Sequence, residues 1–270
     1  MTSPELSVQL YTVREALAAD LPGTLAKLAA AGLNNVEVFS VDENAADMRD
    51  AAKSAGLNIR SGHEYFLSDH VSSPTRSFEV RPVEQTLDYA AEMGLELLID
   101  AYVPVERWAS RDEIEKTADR LNSAVDAAAA RGIRLGYHNH SHEFHNEIDG
   151  VSAYEIFAGL VDERVALELD VFWAATGGQD VPALLQRLGS KVRALHAKDG
   201  IIGEDPYKAE DRSKVELDQR IAGQGELPLT DILASASSAE LVVIEFDRYN
   251  GDIFDAIENS AAWLREAGVR

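Results

Sequence analysis

Residues Ile133–His145 read IRLGYHNHSHEFH, and this stretch decides how the rest of the chain is read. Ile133, Leu135 and Tyr137 alternate with small or polar neighbours, the period-two pattern of a strand. The strand then runs out into imidazoles. His138, His140, His142 and His145 are four of the chain's seven histidines, packed into eight residues. A strand whose end is all His, Asn and Glu presents chemistry at that end. Three later strand-like runs do the same. LELDVFW carries Asp170, ALHAKDG carries His196, Lys198 and Asp199, and VVIEFDRY carries Glu245 and Asp247.

Working outward, strand and helix signals alternate along all 270 residues. Strands are expected over Leu6–Val13, Asn35–Val41, Leu57–Tyr65, Leu95–Tyr102, Val165–Phe172, Val192–Ala197 and Leu241–Phe246, besides the organising one. Helices are expected over Leu21–Ala31, Ala46–Ala55, Pro82–Met93, Ser110–Ala130, Ser152–Leu160, Val181–Leu188, Leu229–Ala236 and Asp252–Ala267. Several stop at a glycine, as helix C-termini commonly do. Ser110-Arg-Asp-Glu113 has the form of a capping box. Two polar stretches stand apart as long loops, Leu67–Arg81 and Gly203–Arg220.

Eight βα units at roughly 30-residue intervals predict an α/β fold with a parallel sheet, closed as a single (β/α)8 TIM barrel over residues 1–270. An open nucleotide-binding sheet needs a glycine-rich phosphate turn after a strand, and neither GxGxxG nor GxxxxGK[ST] occurs. The barrel also accounts for the motifs, because catalytic groups in such barrels sit at the C-terminal ends of strands.

Composition removes several function classes. The net charge of −22 and pI near 4.6 argue against a nucleic-acid footprint and against attachment to anionic membrane. Without cysteine there are no disulfides, thiolate ligands or Cys nucleophile. MTSPELSVQLYTVRE lacks the basic-then-apolar pattern of a secretory signal, so the expectation is a soluble, cytoplasmic protein. No GxSxG elbow is present.

His138 or His140, Asp170, His196 and Glu245 end strands five to eight. A nitrogen and oxygen set without sulfur suits one divalent metal such as Mn²⁺, Mg²⁺, Co²⁺ or Zn²⁺. His138 and His140 share a strand face, so either can ligate while the other meets substrate. Glu143 follows, a candidate base or a buried ion-pair partner. His142 and His145 read as surface loop. Lys198 shares a face with His196 and can neutralise a developing enolate. His63 ends strand three. Glu37, costly to bury unpaired, either reaches the pocket or pairs nearby. Tyr11 and Trp173 are candidates to stack on a sugar ring, although aromatic side chains more often pack in cores.

SVQLYTVR, YHNHSHEF, LELDVFWAATGGQD, LHAKDG and VIEFD together resemble the xylose isomerase-like barrel superfamily, in particular its sugar phosphate isomerase/epimerase and inosose dehydratase-like members. The resemblance spans nearly the whole chain. In the epimerases the metal is held by Glu, Asp, His and Glu from strands five to eight, which implies Asp170, His196 and Glu245 here. Where they carry Glu-Pro, this chain carries His138-Asn139-His140, so one member of their two-glutamate acid/base pair is missing. The resemblance implies a metal-dependent isomerase or epimerase of carbohydrate metabolism, acting on a sugar, keto-sugar or cyclitol. Glu245, His140 or Glu143 would remove a proton beside a carbonyl, and Lys198 or His63 would stabilise or return it. The rival on the same barrel is a dehydratase or lyase working by β-elimination. A metal-dependent apurinic endonuclease and a non-catalytic sugar-binding barrel are the readings of other classes. A homodimer is admitted by resemblance only.

Overall fold

A computed structural model describes residues 3–72 and 77–270. Eight strands close into a barrel: β1 (Glu5–Gln9), β2 (Asn35–Val38), β3 (Asn58–Glu64), β4 (Leu97–Asp100), β5 (Arg134–His138), β6 (Ala166–Asp170), β7 (Val192–His196) and β8 (Leu241–Ile244). Every strand pairs in parallel with its neighbours in sequence, and β1 pairs with both β2 and β8. All eight expected helices are present, most trimmed by a residue or two at an end. Among the described residues no helix is long and apolar enough to cross a membrane.

The strands stop short of the hydrophobic runs that announced them, and the cause is local. In LELDVFW the Asp170 carboxylate accepts the Trp173 N–H at 2.9 Å, so Val171–Thr176 turns helical instead of extending β6. After β1, the Gln9 side chain accepts the Tyr11 N–H, and Leu10–Val13 coils into a 3₁₀ turn that leads into a helix over Arg14–Ala19. The Leu67–Arg81 loop contains an antiparallel pair, His70–Ser72 with Ser77–Glu79; residues 73–76 lie outside the described residues. The charged Gly203–Arg220 stretch is the body of another hairpin, Asp199–Ile201 with Asp218–Arg220.

Outward strand residues such as Val8, Val36, Leu98, Leu135, Leu169 and Ile244 form the main core against the helices. Inward residues form two small apolar clusters, Leu97, Ile99 and Ala166, and Ala194, Leu241 and Val243. The barrel is narrow there. A Cβ on Gly136 would lie 3.0 Å from the Ala166 carbonyl oxygen and 3.1 Å from Ile99, so β5 crosses this layer with no side chain.

Asp199 organises the loops after β7. Its Oδ1 accepts the N–H groups of Gly200 and Leu227, and its Oδ2 those of Gly223 and Gly225. A Cβ on Gly225 would overlap Oδ1 at 2.1 Å and one on Gly223 would overlap the Trp263 ring at 2.2 Å, which explains the Gly223-Gln-Gly225 sequence. Asp199→Ala strands these donors in a buried place and is expected to destabilise the chain by about 3 kcal/mol, read from urea unfolding. A change under about 0.5 kcal/mol would contradict this account.

Candidate active site

Four strand ends converge above the apolar layer. β5 carries His138, β6 Asp170 and β7 His196, while Glu245 directly follows β8; one ligand atom from each lies within 4.8 Å of the others. The sideways residue Asn139 locks β5 to β6. Its Oδ1 accepts the Asp170 N–H at 3.0 Å and its Nδ2 donates to the Asp170 carbonyl at 3.2 Å. Asp170 spends Oδ1 on its helix cap, leaving Oδ2 for the site. Oδ2 lies 3.8 Å from His138 Nε2, 3.9 Å from His196 Nδ1 and 2.9 Å from Lys198 Nζ. Glu245 Oε2 sits 2.6 Å from His196 Nδ1 and 2.8 Å from Lys198 Nζ.

Beneath this set lies a second layer of carboxylates. Glu37 Oε1 is 2.7 Å from His196 Nε2 and 3.1 Å from His63 Nε2. Glu168 Oε2 is 3.0 Å from His138 Nδ1 and 2.6 Å from His63 Nε2. Gln9 Nε2 and Ser61 Oγ donate to the two oxygens of Glu37. Both glutamates are fully buried. Burial alone would raise their pKa values, but the neighbouring imidazoles outweigh it; Glu37 falls well below the carboxylate range and Glu168 to about 2. Burial would likewise keep His63 neutral, yet Glu37 and Glu168 lift it to about 10.

The lower layer sets the upper one. His196 Nε2 and His138 Nδ1 turn down to carboxylates, so the opposite nitrogens face Asp170 and Glu245. His138 is kept neutral by burial and presents a lone pair there. Burial of His196 is outweighed by Glu168, Glu245 and Glu37, which raise its pKa well above normal, so an ion would take the place of its Nδ1 proton. That is the arrangement found behind metal-ligating histidines. Asp170 Oδ2 is buried, and its one close partner is the Lys198 ammonium at 2.9 Å. Two imidazoles and two carboxylates without sulfur fit a divalent ion. His63, His138, Glu168 and His196 form an overlapping lower group, but there Glu168 Oε2 already receives two imidazole nitrogens.

Other expected residues fall into three positions. Lys198 is buried among Asp170, Glu245 and Asp247. Burial would lower its pKa, but the three carboxylates raise it well above normal and fix an ammonium. His140 and Tyr11 line the cavity. Burial, with help from His142 and Lys198, keeps His140 neutral, and its ring packs 5.6 Å from Trp173. Trp173 is a buried wall behind His140, and Glu37 is a partner of histidines; neither lines the cavity. Glu143 is also turned away. It accepts the Tyr137 hydroxyl at 2.7 Å and the His140 N–H at 2.9 Å, and burial pushes it up to about 8.

Two expectations need correction. His142 does not lie in a surface loop. The 3₁₀ turn His142–Phe144 folds it inward, where Nε2 donates to the Val103 carbonyl at 2.9 Å and the ring stacks on Tyr207 at 4.4 Å. His145 is only partly exposed and meets Asp205 at 2.7 Å. Glu168, Tyr207 and Arg212 are site residues that the sequence reading did not single out, and Asp247, noted at the end of the last strand, was given no role there. Period two was the available signal for Glu168, two positions from Asp170. Nothing local marked Tyr207 or Arg212.

The chain belongs to the xylose isomerase-like TIM barrel family, whose model matches residues 25–267. No curated protein matches it. Among solved structures it is similar to a sugar phosphate isomerase/epimerase from Parabacteroides distasonis ATCC 8503, at 23% identity over 99% of this chain and 96% of that one, with a TM-score of 0.75. It is similar to the IOLI protein with a binding zinc atom, at 17% identity over 97% of each chain and a TM-score of 0.70. It is also similar to the probable 3-DHS dehydratase AsbF from Bacillus anthracis, at 13% identity over 97% of this chain and 98% of that one, with a TM-score of 0.69. At these identities the likeness is one of fold.

Two measurements check the site geometry. Glu37→Gln and Glu168→Gln remove the carboxylates that orient the imidazoles; metal affinity by calorimetry should fall about 10- to 100-fold. Undiminished affinity would show that these glutamates do not support a metal. Burial lifts the Glu143 carboxyl from its ordinary value of about 4.5 to about 8 in the folded chain. Its contribution to stability is therefore full below about pH 4.5 and is lost as pH rises towards 8. Glu143→Gln should flatten the decline in urea midpoint between pH 5 and pH 8, and an unchanged slope would refute it.

Proposed function

We propose that the chain, as one barrel domain over residues 1–270, is a divalent-metal-dependent enzyme that removes a proton beside the carbonyl of a small sugar, keto-sugar or cyclitol. Isomerisation or epimerisation is the first reading. The observation that carries it is the convergence of His138, Asp170, His196 and Glu245 at the barrel mouth, beside a buried ammonium at 2.8–2.9 Å from two of them.

His138, Asp170, His196 and Glu245 would hold the ion. When bound it would supply Lewis acidity at a substrate carbonyl. The chain's own groups do the rest. Burial raises Glu245, but Lys198 and His196 hold it well below the usual range, so it stands ready as an ionised acceptor. His140 is an uncharged imidazole on the cavity wall and can take a proton. Lys198 Nζ donates to the oxygen on which negative charge develops. His63, an imidazolium at the cavity floor, adds positive charge from below. Glu143 drops out of the set of bases because its carboxyl faces Tyr137 and the His140 backbone.

β-Elimination is the second reading, and a specific observation favours it. Epimerisation needs a proton acceptor and donor on opposite faces of one carbon. β5 offers imidazoles where a second glutamate would serve.

Incubation with metal and a panel of ketoses, 3-keto-sugars and inososes in D₂O, read by NMR, tests the proposal. Deuterium should enter a carbon next to the carbonyl, and the product separates epimer from eliminated enone. Asp170→Ala should abolish metal binding and exchange together; full activity in that variant would sink the scheme.

A further inference from the structure

The cavity has a polar floor and aromatic walls. It encloses about 390 Å³. Six rings from five loops stand around it: Tyr11, Phe39, Tyr65, Phe78, Tyr102 and Tyr207. They come in three pairs, with centroids 5.6 Å apart for Tyr11–Phe39, 5.6 Å for Tyr65–Phe78 and 6.5 Å for Tyr102–Tyr207. One sugar ring seated on Lys198, His138 and Glu245 has a single apolar face on each side. Three ring pairs above it are more stacking surface than that one ring covers.

The charges speak against a phosphate in the same space. Among the described residues, the cavity is lined by Glu64, Glu245 and Asp247 against three cations, Lys198, Arg212 and the His63 imidazolium, and His63 is already engaged by Glu37 and Glu168. Lys198 is surrounded by three carboxylates. Arg212 lies 4.1 Å over the Tyr207 ring and bonds the Tyr102 side chain, so it extends the aromatic wall. Many such barrels bind phosphate on backbone N–H groups after strands seven and eight. Here several of those groups are already taken. Gln219 Oε1 accepts the N–H of Asp247 at 2.7 Å and of Arg248 at 3.1 Å, and Asp199 accepts that of Gly200 at 2.8 Å.

We infer that the substrate is an uncharged keto-sugar glycoside: a carbonyl-bearing sugar ring on the polar floor, joined through its anomeric oxygen to a second ring between the aromatic walls. The inference rests on the proton-abstraction reading for the first ring and adds what the rest of the cavity is for. It also gives the elimination a leaving group. The proton leaves the carbon between the carbonyl and the anomeric carbon. The anomeric C–O bond breaks with its electron pair going to oxygen, and a C=C bond forms. The departing oxygen takes up one proton. Substrate thus divides into an unsaturated ketone and an alcohol, with no oxidant and no water consumed.

Binding of three non-reacting probes to the metal-supplemented chain tests this: glucose, phenyl β-glucoside and glucose 6-phosphate, by calorimetry with saturation-transfer NMR to map the bound protons. Phenyl β-glucoside should bind about tenfold or more tighter than glucose, the effect of about one to two aromatic contacts. Glucose 6-phosphate should bind no tighter than glucose. Tyr207→Ala and Phe78→Ala, on different loops, should each shrink the ratio between glycoside and glucose. Equal affinity for glucose and its phenyl glycoside, or tightest binding of the phosphate, overturns the inference. The deuterium exchange above is independent of it. Exchange into free keto-sugars with no glycoside preference leaves the reaction standing and removes this substrate class. A glycoside preference without exchange supports the two-ring cavity and sinks the reaction.

Discussion

His196 stands between two carboxylates, with Glu37 at 2.7 Å from one ring nitrogen and Glu245 at 2.6 Å from the other, and the site depends on that sandwich. An imidazole and two carboxylates without solvent are costly to bury unless each finds a partner. The barrel meets that condition by repeating the motif. His138 bridges Glu168 and the Asp170 side, and His63 joins Glu37 to Glu168. The network cannot lose one member without leaving another charge unpaired. Its geometry is therefore held more tightly than that of a loop-borne site, and orientation is what a metal-ligating imidazole needs.

The same period-two face that builds the apolar plug builds the site. Along β6 the inward positions run Ala166, Glu168, Asp170. Along β7 they run Ala194, His196 and then Lys198. From β8 they run Leu241, Val243, Glu245 and then Asp247. Each strand passes from apolar at the bottom to charged at the top. Water-excluding residues below and ionisable ones above leave the floor of the cavity in a low-dielectric setting, where a nearby ammonium acts with more force than it would in water. Gly136 belongs to this gradient, because its missing side chain lets the lower layer close before His138 begins the upper one.

The barrel was legible because alternation of β and α segments survives errors of two or three residues at every boundary. Asp170, His196 and Glu245 were legible because each closes a hydrophobic run. Strand ends were overestimated where a side chain intervenes, as with Asp170 capping its helix, since apolar residues continue past the break. Glu168 was hidden by the middle of LELD, where a buried carboxylate is improbable until His63 and His138 from other strands are brought to it. Glu143 reads in the sequence as either a base or a buried partner. Its spacing from His140 suggested a shared pocket, but the 3₁₀ turn after Ser141 rotates it towards the Tyr137 hydroxyl. The aromatic walls depend on five loops meeting, and no one loop announces them.

The segment from His138 to His145 shows how one sequence serves several layers. His138 is part of the floor and His140 of the wall. His142 lies under Tyr207, and His145 holds Asp205, whose other oxygen takes the Ser141 hydroxyl at 2.7 Å. Asn139 ties the strand to the Asp170 backbone, and Glu143 braces the turn through the His140 N–H. The long connection after β7 is thus fastened to the end of β5 at three points. It places Tyr207 against His140 and His142, with Arg212 over the Tyr207 ring. A shift of the connection therefore shifts His140 and the aromatic wall together, so the polar floor and the rings above it move as a single mechanical unit.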